Sequence, residues 1–235
     1  MSILIENLSL TLTSQKIFVN ISLDIKSNTF HSIIGLSGAG KSQFIRTLAD
    51  LNQVHQRSPI NNEVSIAFQN SQLIPWLSAF DNVKMCCTLS DTEIDQLFVE
   101  FNLINYKNFK PRELSGGMQQ RVSLIRAFAH KNELLLLDEP FSMLDLVNKR
   151  ANQDYLLAYW QKYKGSVLFI SHDIDEALFL SQQVHFLSRK KKTITHSFNI
   201  QQDYPRDYLS FKNSDEYKNI YRELFNLLTE DSQNA

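Results

Sequence analysis

GLSGAGKS, from Gly35 to Ser42, decides the fold of this 235-residue chain. It fits the spacing GxxxxGK[ST] and stands between a strand-like run (Phe30, Ile33, Ile34) and a run at helical spacing (Phe44, Ile45, Leu48, Leu51). Strand, glycine loop and helix in that order make an anion site. Gly35, Gly38 and Gly40 let the backbone N–H groups of the loop, including those of Leu36, Ser37 and Ala39, curl round phosphates at the positive end of the helix. Lys41 then reaches the β and γ phosphates, and the Ser42 hydroxyl can ligate Mg²⁺. A turn that only reversed the chain would not need the terminal Lys-Ser.

Glycine is otherwise scarce. The chain has 6, where average usage of about 7% would give roughly 16, and two of the remaining three are adjacent at Gly116 and Gly117. Such placement marks backbone with a special task. With 24 Lys+Arg against 25 Asp+Glu, the chain lacks the basic excess that drives binding to nucleic acid, so no nucleic-acid partner is expected. The two cysteines, Cys86 and Cys87, are neighbours that cannot form a disulfide framework or complete a metal ligand set, and they read as helix residues. No run reaches the roughly 18 apolar residues of a membrane span, and MSILIENLSL has no basic region before an apolar one.

Working outward, Ile3, Ile5 and Leu8 followed by Ile21, Leu23 and Ile25 predict an N-terminal antiparallel β layer. The phosphate loop opens a helix over Lys41 to Leu51, and a short strand returns over Ser65 to Phe68. Ser90 and Glu93 form a capping box ahead of Ile94, Leu97, Phe98 and Phe101. The glycine pair opens a helix carrying Val122, Ile125 and Ala129; Leu134 to Leu137 and Val167 to Ile170 read as buried parallel strands. Beyond Ser188 come a basic run, Arg189 to Lys192, read as a solvated turn, then a hairpin region and a last helix. That helix is expected to start near Asn213, with Glu216 three residues on, and to bury Tyr217, Ile220, Leu224, Leu227 and Leu228. The fold class is α/β: a P-loop core with a mostly parallel sheet, an N-terminal antiparallel β layer and an inserted α-helical subdomain.

Two further motifs carry chemistry. LLLLDEP, Leu134 to Pro140, is a buried strand ending in carboxylates, where Asp138 can hold magnesium and Glu139 can act as general base on an attacking water. LSGGMQQR, Leu114 to Arg121, places Ser115, Gly116 and Gly117 at a helix N-terminus, where free N–H groups face a phosphate. This octet strongly resembles the signature of the ATP-binding-cassette (ABC) family. The resemblance covers almost the whole chain and implies one ABC ATPase domain, with a nucleotide-binding core over residues 1–71 and 131–205, a helical subdomain over 72–130 and a C-terminal helical extension over 206–235. It also implies ATP and Mg²⁺ as ligands, with catalytic Lys41, Glu139 and His172, and magnesium at Ser42, Gln69 and Asp138. Ser115, Gly116, Gly117 and Gln119 would contact the partner's ATP, and Ser142 and Asp145 would form a dimer loop.

Where the family carries an aromatic residue to stack on adenine, alignment puts Leu12, with Phe18 six residues later. The segment Asn52 to Asn62 lacks the family's usual glycines. SQLIPWLSAFDNV after Gln69 and SHDIDEAL around His172 are most similar to motor subunits of nitrate, sulfonate, taurine and pyrimidine-precursor importers. That likeness implies a homodimer, or a pair with a related subunit, at the cytoplasmic face of the inner membrane, working with membrane permease subunits and indirectly with a periplasmic or extracellular solute-binding protein. Rival readings are a soluble ABC ATPase acting on ribosomes or DNA, which usually joins two cassettes or inserts coiled coils, and a small P-loop kinase, which has no use for LSGGMQQR. Trp76 reads either as an anchor for the membrane partner or as packing inside the helical subdomain.

Overall fold

The structure, a computed structural model, describes residues 2–51, 64–130, 132–163 and 165–233. Its strands are β1 (Ile3–Leu12), β2 (Gln15–Ile25), β3 (Phe30–Ile34), β4 (Val64–Ala67), β5 (Leu134–Asp138), β6 (Ser166–Ser171), β7 (Gln183–Ser188) and β8 (Thr193–Asn199). Its helices are α1 (Lys41–Leu48), α2 (Ala79–Lys84), α3 (Asp91–Glu100), α4 (Gly116–Ala129), α5 (Leu146–Tyr163), α6 (Ile174–Leu180), α7 (Tyr208–Asn213) and α8 (Asp215–Ser232). The segment Asn52 to Asn62 singled out by its lack of glycine lies outside the described residues. The chain forms two compact units, Met1–Asn62 with Ser166–Ala235, and Glu63–Gly165.

In the first unit, β1 and β2 pair antiparallel from Ile3 opposite Ile25, and the alternating apolar set Ile5, Leu8, Phe18, Ile21 and Ile25 is buried. This is the expected N-terminal β layer. Beside it in sequence, β3 runs parallel to both β6 and β7, and β8 closes the edge antiparallel to β7. All five residues of β3 are buried, as a central parallel strand requires. Two of them are polar, and they are answered: the Ser32 hydroxyl meets the Ser181 hydroxyl, while His31 Nδ1 meets His185 Nε2 at 3.0 Å, Thr29 Oγ1 meets His31 Nε2 at 2.8 Å, and His185 Nδ1 meets Ser197 Oγ at 2.7 Å. Burial lowers the pKa of His31 to about 4 and that of His185 to about 3, so the pair is neutral near pH 7.

Helix α1 buries Phe44, Ile45 and Leu48, with Phe44 edge-on to Phe18 at 5.6 Å. It stops three residues earlier than the apolar spacing suggests. Asp50 takes a left-handed conformation, φ 57, while the Leu51 N–H bonds to Arg46 O; that closing turn swings Leu51 out to solvent. The last helix is also corrected. Residues 208–213 form α7, and α8 is capped by Ser214, whose hydroxyl accepts from Tyr217 N–H. Glu216 does not close a capping box but accepts from Gln201 N–H and Gln202 N–H. Tyr217 and Leu224 are buried, whereas Ile220, Leu227 and Leu228 are half-buried.

What ties this extension down is a residue that the apolar pattern ignores. Arg206 is buried, donates through Nη1 to the carbonyls of Leu178, Phe179 and Ser181 and through Nε to Gln202 O, and lies against the rings of Tyr204 and Phe211. It satisfies the open C-terminal carbonyls of α6.

In the second unit, β4 and β5 pair in parallel from Val64 with Leu134 to Ala67 with Leu137. Ser90 and Glu93 form the expected capping box on α3, and Ile94, Leu97, Phe98 and Phe101 are buried. The helix expected through Cys86 and Cys87 is absent there: α2 ends at Lys84 and both free thiols sit in the following turn. Lys84 Nζ donates to Leu89 O beyond that turn, and Cys87 Sγ to Val83 O, which also accepts from Cys86 N–H.

Candidate functional site

The phosphate loop, Leu12 and His172 belong to the first unit. Gly40 caps α1 in a left-handed conformation, φ 97, with no side-chain hydrogen bond to the first turn and no acidic residue in it. The positive helix end is therefore uncompensated by its own side chains. Lys41 is buried, with Nζ 2.7 Å from Gly35 O and 3.0 Å from Leu36 O, which folds the ammonium over the loop. Gly35 has a packing reason as well: the Leu187 carbonyl oxygen occupies the place where a side chain would stand.

His172 follows β6 directly, and the β3–β6 register, which ends with Ile34 opposite Ser171, puts it beside Gly35. Its turn is built by neighbours. Ser171 Oγ accepts from Asp173 N–H at 3.0 Å and donates to the buried Glu176 carboxylate at 2.5 Å, while Asp173 Oδ1 accepts from Asp175 N–H and Glu176 N–H. His172 itself is exposed.

Leu12 stands at the end of β1 opposite Gln15, half-buried. Phe18 is fully buried against Phe44 and cannot stack on a base. Ile17, which sequence reading passed over, lies closer to the loop, with Cγ2 3.0 Å from where a Cβ on Gly40 would be. An aliphatic wall can cover a base but offers no π face. Leu12→Tyr is expected to tighten ATP binding by about fivefold, the low end of base–aromatic stacking, and to sharpen a modest preference over GTP. Equilibrium binding of both nucleotides checks this; equal affinities in both proteins would refute it.

The second unit carries the other motifs. Asp138 is buried at the end of β5, and extending the β4–β5 register by two residues puts Gln69 beside Glu139. Glu139 has a left-handed backbone, φ 47, and its carbonyl accepts from the Ser142 hydroxyl at 3.0 Å and from Ser142 N–H at 3.3 Å. Asp145 caps α5, accepting from Val147 N–H, Asn148 N–H and the Asn148 amide; the hydrogen bonds from Asn148 hold its carboxyl below the usual carboxylate range. Between and after these two residues, Met143, Leu146 and Val147 stand 72%, 81% and 78% exposed.

Ser115 caps α4 by accepting from Met118 N–H, and the first turn holds no acid. The two glycines differ. A side chain on Gly117 would crowd Asn148 and Asn152 of α5, whereas one on Gly116 would meet nothing within 4 Å, so packing inside this chain does not explain Gly116. Gln119, expected to face a partner's nucleotide, donates to the carbonyls of Pro111 and Leu114 and accepts weakly from Ser71 Oγ. Its amide holds the turn before the helix. Two residues outside the expected set tie α4 to the Gln69 loop: Gln120 donates to Phe68 O, and Arg126 to the carbonyls of Ser71 and Gln72. A polar residue on the inward side of an otherwise apolar helix was the available signal.

Ser42 in the first unit offers a hydroxyl, and Gln69 and Asp138 in the second offer an amide and a buried carboxylate, oxygen donors of the kind that a hard cation such as magnesium takes.

Residues 18–142 match the family model described as ABC transporter. The chain belongs to the ABC transporter family. It is 36% identical over 201 residues to the aliphatic sulfonates import ATP-binding protein SsuB of Bacillus subtilis (strain 168), covering 80% of this chain and 79% of that one. It is 34% identical over 202 residues to the nitrate import ATP-binding protein NrtD of Synechocystis sp. (strain ATCC 27184 / PCC 6803 / Kazusa), covering 77% and 74%. A dimeric ATP-binding cassette solved in a post-hydrolysis state with ADP and phosphate superposes with a TM-score of 0.70 at 22% identity, over 86% of this ABC chain and 100% of that one. The fold is that of an ABC cassette.

Proposed function

We propose that this chain is the ATP-hydrolysing motor subunit of an ABC importer for a small solute of the nitrate, sulfonate, taurine or pyrimidine-precursor type. The observation that carries the reading is one chain holding an uncapped phosphate loop and an LSGG helix, with more than 30% identity to import ATP-binding proteins. Two copies pair head to tail, and the exposed row Met143, Leu146 and Val147 beside Ser142 and Asp145 supports that pairing. ATP binding closes the pair and hydrolysis reopens it.

In the proposed reaction, Lys41 and the loop amides bind the phosphates, Glu139 takes a proton from the attacking water, and His172 donates a hydrogen bond to charge developing on the γ phosphate. Ser115 and Gly116 of the partner's signature helix complete the anion site. Ser42, Gln69 and Asp138 would hold magnesium, which neutralises charge across the β and γ phosphates when bound.

The face from Gln69 to Asp81 would grip a membrane permease, and the chain would work peripherally at the cytoplasmic side of the inner membrane with a solute-binding protein beyond it. No helix among the described residues is long and apolar enough to cross a membrane. Trp76 supports this reading, because it stands 72% exposed rather than packed inside its unit. Trp76→Ala is therefore expected to reduce copurification with the permease about tenfold, an ordinary loss for an aromatic interface anchor, and to leave ATP affinity and melting temperature unchanged. Undiminished copurification would sink the assignment of that face.

A further inference from the structure

The turn between β7 and β8 carries four consecutive cations, Arg189 to Lys192, and the ABC motifs give it no task. Its position is specific. The parallel register of β3 and β7 ends with Ile34 opposite Phe186, so the phosphate loop and this turn leave the sheet side by side. Leu187 O fills the space at Gly35, and Arg189 Cδ lies 4.0 Å from where a Cβ on Gly38 would be. The guanidinium begins one bond further on. It makes no hydrogen bond or ion pair with any described residue, whereas Lys190 and Lys192 donate to the carbonyls of Glu230 and Lys16.

The turn is also held still. Asp231, in the last turn of α8 and 4% exposed, accepts from Ser188 Oγ at 2.7 Å, Arg189 N–H at 2.7 Å and Lys190 N–H at 3.2 Å. Lys192 N–H bonds to Ser188 O, and Val19 N–H to Lys192 O. Burial alone would raise the Asp231 pKa, but the hydrogen bonds from Ser188, Arg189 and Lys190 outweigh it and keep the carboxyl below its usual range. A buried carboxylate is spent on the backbone of one turn, and that turn presents an uncommitted arginine to a loop built for anions. Arginine suits phosphate oxygens because its planar fork can donate two hydrogen bonds at once.

We propose that Arg189 is a further contact to the phosphates of the bound nucleotide, and that Asp231 is the positioning residue that aims it. The C-terminal helix thereby becomes part of the nucleotide site. This rests on reading Gly35 to Ser42 as the phosphate loop. The test is equilibrium binding of ATP and of inorganic tripolyphosphate to the full chain. Arg189→Ala is expected to weaken both ligands about threefold to tenfold, less at high salt, and Arg189→Lys to recover part of the loss. Asp231→Asn should weaken binding in the wild-type background and add nothing to Arg189→Ala. Wild-type affinity in Arg189→Ala would overturn the contact, whatever Asp231→Asn does to folding. An equal loss from Asp231→Asn in both backgrounds would overturn the positioning role. Lys41→Ala separates the two levels: if it too binds both ligands normally, the phosphate-loop reading itself has failed.

Discussion

Glu139→Gln is expected to slow ATP turnover by about a hundredfold or more while leaving ATP affinity near that of the wild type. Glutamine keeps the size of the side chain and can still accept a hydrogen bond, but it cannot take a proton from water. The surroundings make this a test of chemistry rather than of folding: Asp138 beside it is the buried residue, and the Ser142 hydroxyl holds the Glu139 carbonyl, which the substitution leaves in place. An ATP-loaded pair that cannot hydrolyse should persist, so the variant should elute as a dimer in size exclusion with ATP. Phosphate release at the wild-type rate would show that Glu139 is not the base.

A mixture of two dead subunits is expected to regain activity. Lys41→Ala removes the ammonium proposed to bind the phosphates, and Ser115→Arg blocks the N-terminus of α4, where the space around Gly116 is open. If each active site takes Lys41 from one subunit and Ser115 from the other, a mixed dimer keeps one intact site. Random pairing makes half the dimers mixed, so the mixture should reach about a quarter of wild-type turnover from near zero in either parent. A mixture no more active than its parents would remove the support for head-to-tail pairing.

Much of this was legible because it is local or periodic. The phosphate loop, the Ser90–Glu93 capping box and the antiparallel N-terminal layer each follow from spacing within a few residues. Other features depend on groups distant in sequence. Glu216 has capping-box spacing from Asn213 but is taken by the backbone at Gln201 and Gln202. Arg206 and the His31–His185 pair are polar residues in apolar surroundings, and a hydrophobic pattern treats them as surface until their partners across the fold are known. The apolar Trp76 and Met143 err in the opposite direction, standing in water.

Three long side chains stand where a glycine would rest more easily. Gln72, Glu139 and Lys192 have φ of 46, 47 and 56, while the other left-handed non-glycine residues among the described residues are all Asn, Asp, Ser or Thr. Such a backbone costs a residue with a side chain on the order of 1 kcal/mol or more, and selection for stability alone would drift these positions toward glycine or asparagine. At Glu139 that drift would remove the proposed base. The scarcity of glycine therefore has a second face: here the chain gives up some stability to keep a carboxylate at the strand end, and variants selected only for heat resistance should include proteins that fold better and no longer turn over ATP.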